Sequence, residues 1–377
     1  MTVTQIATIL NAINTEVAQG AALVNEDLSN VVDIGTTVFD ATWKDNYVKS
    51  LIDQIGKMVF VDRPYAGYAP SILRSAWEYG SILAKVRAKD FDAKQNPSWQ
   101  LTPGTTVNQF EYNPPEVKQT FWNQKEAWQI DCSFAEEQVK SAFRSVEQLN
   151  AFFSMIESTI DNSRTQKMDS LVMRTINRLI ASTINTAGAQ VIPLLTLYNT
   201  DYAPATPLTA ARAHTDPQFL RYLAFMMLDV KDRLKVRTTT YNQGGTGYPT
   251  YTPDTDLHVV INSLYGRAMD VFMQADTFHN DLTNVGSYET VPFWQGSGTT
   301  YAVADRTKID VTIGNDTVQQ SYIVGVMFDE DAAAINNNNM RVTSAYNANG
   351  EYYNNFYKVE TSCMNDVGEN VVVFTLT

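Results

Sequence analysis

Site chemistry requires groups that ionise, ligate or attack, and this chain rarely sets such groups together. Its three histidines are His214, His258 and His279, and no two stand at the HExxH spacing that puts a ligand pair on one helix face. His258 lies in the apolar run Leu257-His-Val-Val-Ile-Asn262, where a structural, hydrogen-bonded histidine is expected. Gly244-Gly-Thr-Gly247 lacks the Lys-Ser/Thr of a phosphate loop and has no strand leading into it, so it reads as a plain loop. Asp329-Glu-Asp331 could hold a cation, but in front of Ala332-Ala-Ala-Ile335 it also suits the acidic N-terminus of a short helix. Cys132 and Cys363 are too few for a disulfide framework and too far apart for a redox motif, so reduced thiols are expected. No G-x-S-x-G, Cys/His pairing or dinucleotide fingerprint occurs. These residues nominate no nucleophile, no metal site and no cofactor.

The remaining polar signal is the distribution of charge. Asp and Glu number 41 against 28 Lys and Arg, a net charge of −13, the opposite of what gripping nucleic acid requires. Between Lys57 and Lys94 seven basic residues meet four acidic ones, whereas from Tyr301 onward four meet ten. This asymmetry makes Lys85, Arg87, Lys89 and Lys94 candidates to contact Glu351, Glu360, Asp366 and Glu369, with one copy's basic hairpin expected on another copy's acidic face.

The elements that would carry these residues centre on Glu116–Ile184. Val117 to Cys132 reads as one extended aromatic segment. Val146, Leu149, Phe153, Ile156 and Ile160 then recur at helical spacing, and Met168, Leu171, Val172, Ile176, Leu179, Ile180 and Ile184 continue the stripe beyond a polar patch at 162–166. Unbroken, that helix would run about 55–60 Å. Upstream, Ser71 to Tyr112 predicts a long hairpin turning near Asp92–Ser98 and Pro103-Gly104, whose thin apolar face needs something to lie on. Residues 1–45 predict a short amphipathic helix on Ile6, Ile9, Leu10 and Ile13, then an arm ordered by a partner. Tyr47–Phe60 starts helical and turns strand-like after Gly56.

Downstream, Thr186–Asp216 reads as loop, and Asp216-Pro217 opens a helix whose buried face is Phe219, Leu220, Leu223, Met226, Met227, Val230 and Leu234. Tyr241–Asp254 is a loop, Leu257–Asn262 a strand and Tyr265–His279 a helix. Strands are expected at Gly286–Trp294, Thr300–Ala304, Tyr322–Phe328, Tyr352–Ser362 and Val371–Leu376. The 377 residues, 44% hydrophobic and 11% aromatic, suffice for an ordered α+β core. The N-terminus lacks the features of a signal peptide and no run is long enough to span a bilayer, so a protein made and kept inside a cell, without membrane contact, is expected.

The order of parts, together with Leu51-Ile-Asp-Gln-Ile-Gly56, Trp122-Asn-Gln-Lys-Glu-Ala-Trp-Gln-Ile-Asp131, Val139-Lys-Ser-Ala-Phe143, Phe152-Phe-Ser-Met-Ile156 and Asp256-Leu-His-Val-Val-Ile261, resembles tailed-phage major capsid proteins of the Hong Kong 97 type, nearest to those of phi-29-like podoviruses. The resemblance implies an N-arm at 1–45, the start of a P-domain at 46–65, an E-loop at 66–113, the P-domain with its spine helix at 114–185, an A-domain at 186–345 and returning P-domain strands at 346–377. It implies a non-enzymatic subunit forming hexamers and pentamers of an icosahedral or prolate shell around double-stranded DNA. Scaffolding and portal proteins would be partners, the host bacterial cytoplasm the place of assembly and the virion capsid the destination. The immunoglobulin-like domain of the phi-29 capsid protein is expected to be absent. Some members of this fold class cross-link a lysine to an asparagine; Lys85, Lys89 or Lys94 with Asn354 or Asn355 would be the counterparts, although phi-29-like shells resemble the type that does without. An encapsulin-type compartment shell, or a metal-dependent enzyme using Asp329–Asp331 with a histidine, are the competing readings.

Overall fold

The computed structural model describes residues 3–17, 24–40, 67–74, 83–91, 93, 95, 110, 112–122, 125–135, 146–186, 188–243, 248–274, 288–295 and 302–377. The expectations for Tyr47–Phe60, Gly244–Gly247, the two hairpin turns and His279 lie outside the described residues.

The long amphipathic pattern forms one helix, α3 (Val146–Asn185), after two N-terminal helices, α1 (Val3–Val17) and α2 (Val31–Asp40). Its 40 residues give a rod of about 60 Å. Ile156, Ile160, Met168, Leu171, Val172, Ile176, Leu179 and Ile180 are buried along it. Lys167 and Arg174 reach from its flank to Glu126 on β4 (Lys125–Ala135).

Two sheets pack against this helix. One has the order β1 (Leu73–Arg74), β11 (Ala333–Asn347), β12 (Tyr352–Asn365), β4. The other has the order β5 (Val191–Pro193), β13 (Val371–Thr375), β10 (Ile323–Asp329), β6 (Leu257–Asn262), β7 (Glu289–Val291). In the five-stranded sheet, Val260, Val326, Phe328, Val371 and Val373 point into the cluster around α3. Val259, Ile261, Met327, Val372 and Phe374 point the other way, into a cluster with α4 (Leu194–Tyr202), α5 (Pro217–Leu234) and α6 (Ser263–Gln274). Burial on both faces explains why Val371-Val-Val-Phe-Thr375 reads as an unbroken apolar run rather than an alternating one.

The helix start at Asp216 is formed as its residue types dictate: the carboxylate accepts from the Phe219 backbone N–H at 2.9 Å and Pro217 occupies the first turn. Several local expectations fail. Thr186–Asp216 is not a loop but holds β5 and α4, because Leu194, Leu195 and Tyr198 find a core that a Pro/Ala/Thr-rich composition hides. The described parts of the N-terminal segment, residues 3–17 and 24–40, order within the chain, burying Ala7, Leu10, Ile13, Val24, Leu28 and Val31, with Asn11 holding Val24 through both of its backbone groups. Ala332–Ile335 opens no helix; from Ala333 the chain runs as β11, since Ala333, Ala334 and Ile335 pair with β12 in a long ladder interrupted only by a bulge between Asn337 and Asn339. Val303–Arg306 is a helical turn, α7, where a strand was expected, followed by the unforeseen hairpin β8 (Ile309–Ile313) and β9 (Asp316–Gln320).

The Val117–Cys132 segment is not one strand. It divides into β3 (Val117–Trp122) and β4, which pair with different partners: β3 with β2 (Leu83–Ala88) and β4 with β12. The result is a two-stranded ribbon standing apart from both large sheets.

Candidate functional site

The ribbon brings half of the eight charged candidates to one place. Side chains alternate across a strand, so Lys85, Arg87 and Lys89 share one face of β2 and its extension, while Ala84, Val86 and Ala88 share the other. The polar face is the half-buried one. On β3 likewise, Thr120 and Trp122 turn inward and Val117 and Phe121 outward.

Beneath the ribbon lies the turn between β12 and β13. Arg87 donates from one guanidinium nitrogen to the Gly368 carbonyl at 2.6 Å and from another to Asp366 and Glu369, each at 2.6 Å. Lys85 pairs with Glu369, with Asp366 at 3.4 Å and with Asp331 at 3.6 Å. The Trp122 indole N–H adds a bond to the Asn365 carbonyl at 3.0 Å. The turn itself is shaped for this role, because Asp366 accepts from the Gly368 N–H at 2.9 Å and an added Cβ at Gly368 would stand 2.6 Å from Arg87. Burial pushes the Glu369 carboxyl above the usual range, and a neighbouring Asp329 adds to this, even though Lys85 and Arg87 pull it down.

Three other candidates sit apart from this cluster. Lys89 pairs with Glu116 at 2.9 Å. Glu360 lies on the outer face of the four-stranded sheet, beside Lys358 and Arg341 at a cleft of about 220 Å³. Glu351 is exposed in the β11–β12 turn with φ of 51°. Lys94 lies outside the described residues. Thus Lys85 and Arg87 meet Asp366 and Glu369, two of the expected partners, within a single chain. Asp331, Gly368, Trp122 and the Asp90–Arg237 pair at 2.7 Å were not anticipated. The signal available for them was the strict charged/apolar alternation of residues 84–89.

Groups considered for catalysis are dispersed or structural. His258 stacks on Phe328 with ring centroids 5.4 Å apart, and His214 lies in a 3-10 turn. Asp329 accepts from the Thr252 hydroxyl at 2.7 Å and from the Asp331 N–H at 2.9 Å. Among the described residues no group of histidines, cysteines and carboxylates could hold a metal ion, and no helix is long and apolar enough to cross a membrane. Both cysteines are free and half-buried. Of the cross-linking candidates, Asn355 is fully buried and Asn354 accepts from the Ser133 hydroxyl at 2.6 Å. A cavity of about 630 Å³ between α3 and the β8 region, lined by Tyr68, Arg174, Asn177, Phe293, Trp294 and Asp310, includes no histidine or cysteine.

The comparisons with known proteins agree with this geometry. The model of the Phi29-like phage major capsid protein family matches residues 6–375. Among solved structures, the capsid of Staphylococcus phage Andhra shares the fold at 10% identity, covering 84% of this chain and 87% of that one with a TM-score of 0.52. The capsid of cyanophage P-SCSP1u is similar at 10% identity over 84% of this chain and 91% of that one, with a TM-score of 0.49. No curated protein matches in sequence. The encapsulin and metalloenzyme readings are not favoured by these likenesses. Matched by the family model along nearly its whole length and sharing its fold with a phage capsid, this protein belongs to the Phi29-like phage major capsid proteins and is a structural subunit of the phage shell.

Proposed function

We propose that copies of this chain build hexamers and pentamers of an icosahedral or prolate head around packaged double-stranded DNA, through apolar contacts made by the outer face of the ribbon. The carrying observation is that Val86, Val117 and Phe121 on that face, and Phe91, Phe110 and Tyr112 beyond it, are all exposed, Phe110 to 90%. So many large apolar groups in one segment suit burial against a second copy. In this reading residues 1–45 are the N-arm, 46–65 the start of the P-domain, 66–113 the E-loop, 114–185 the P-domain with its spine, 186–345 the A-domain and 346–377 the P-domain return. The chain works by assembly and not by turnover. Its acidic balance fits enclosure of DNA without sequence-specific grip. Scaffolding and portal proteins assist, and assembly takes place in the host bacterial cytoplasm.

The charged candidates divide accordingly. Lys85 and Arg87 are engaged at home with Asp366 and Glu369, which leaves Lys94, Glu351 and Glu360 to contacts between copies. Replacing Val86, Val117 and Phe121 together by Ser tests the proposal. The triple variant is expected to keep its circular dichroism spectrum and to lose closed particles in electron micrographs. Normal shells from a folded triple variant would overturn it.

A further inference from the structure

The ribbon is attached in an unusual way. None of the described residues of β2 or β3 belongs to either hydrophobic cluster flanking the five-stranded sheet. A two-stranded ribbon is marginal by itself, so its position depends on what lies under its inner face. That face is ionic. Lys85 and Arg87 come from β2, Asp366 and Glu369 from the β12–β13 turn, and Asp331 from the turn after β10; Asp329, at the end of β10, stands close to Glu369. At the ribbon's far end, Asp90 pairs with Arg237, which follows α5.

The turn is in turn wired to the body. The Thr250 hydroxyl donates to the Asn370 side-chain oxygen at 2.7 Å, and the Asn370 amide donates to the Thr252 hydroxyl at 3.1 Å. Thr252 passes the chain on to Asp329 at the end of β10.

We propose that the ribbon is a releasable arm, latched to its own subunit by Lys85 and Arg87 on the 366–369 turn, so that charge rather than apolar packing sets where it points. Latched, it turns its charged face inward and offers its apolar face outward. Unlatched, it is free to re-aim while the helix and sheets stay intact. The latch is specific because Arg87 must reach a backbone carbonyl and two carboxylates at once, a geometry that only its forked guanidinium supplies. Asp366 and Glu369 are buried and Lys85 and Arg87 keep only 21% and 18% of their side chains exposed, so dissolved salt screens the latch weakly and its release needs the cations themselves removed.

Hydrogen–deuterium exchange on the unassembled, full-length subunit tests this. The K85Q/R87Q double variant is expected to speed exchange at residues 83–91 by at least about tenfold over the parent while exchange in α3 stays unchanged. Raising salt from about 0.05 to 1 M is expected to move exchange at 83–91 in the parent far less than the double substitution does. Restoring one cation, as K85Q alone with Arg87 kept, should recover part of the protection. A K85Q/R87Q variant that keeps the parent's protection at 83–91 would overturn the proposal. So would a parallel loss of protection in ribbon and helix, since the ribbon would then not move independently.

Discussion

Glu369 faces two opposed demands: Lys85 and Arg87 favour its charge, and burial disfavours it more. Its folded-state value is raised above the ordinary 4.5, so the folded protein holds this proton more tightly than the unfolded chain does. Stability from this group is therefore greatest below that ordinary value and declines as pH rises through the raised one. Glu369→Gln removes the titration, so over the interval just above 4.5 the parent should lose stability relative to the variant as pH rises, in chemical denaturation of the unassembled subunit. A parent-minus-variant difference that is flat across that interval would refute the assignment. The right residues for this cluster could be chosen from composition, because an excess of cations near 85 and of carboxylates near 369 predicts attraction. Whether they meet within a chain or between chains could not. Lys85 and Glu369 are 284 positions apart, and charge complementarity carries no information about connectivity.

At the scale of elements, the spine helix follows from periodicity, and its burial sets the expected cost of damage. Ile176 and Leu179 are fully buried in the shared core, so either one replaced by Ala should destabilise by about 2–5 kcal/mol in thermal or denaturant unfolding. Ser170, exposed on the same helix, should change stability by less than about 0.5 kcal/mol when replaced by Ala. The base of the hairpin supplies a sharper test. Asp169 on α3 accepts from the Tyr68 N–H, and a Cβ at Gly67 would stand 2.0 Å from that carboxylate. Gly67→Ala should therefore cost about 1–3 kcal/mol and open residues 67–74 to protease cleavage. Elements whose signal is local were legible: the spine, the Asp216 cap, the β6 and β13 runs. Those decided by tertiary contact were not. Residues 117–132 look uniform in sequence but are divided by which neighbour each half pairs with, and Ala332–Ile335 has helix-forming residues yet extends because β12 lies alongside.

For the whole molecule, exposure completes the account. A chain with an ordered core on both faces of its five-stranded sheet still leaves Phe91, Phe110, Tyr112 and Phe121 in solvent, all on one projecting segment. In the proposed assembly such groups would meet copies of the same chain, and closed symmetry would bury them in every copy at once. The order of parts made this architecture recognisable before any single residue did, since the fold is carried by succession and not by a motif. Electron microscopy of the purified protein, with and without the proposed scaffolding partner, measures the central claim directly. Closed particles of uniform size with ordered rings of subunits are the expected result. Monomers alone at high concentration, by micrograph and by light scattering, would contradict it.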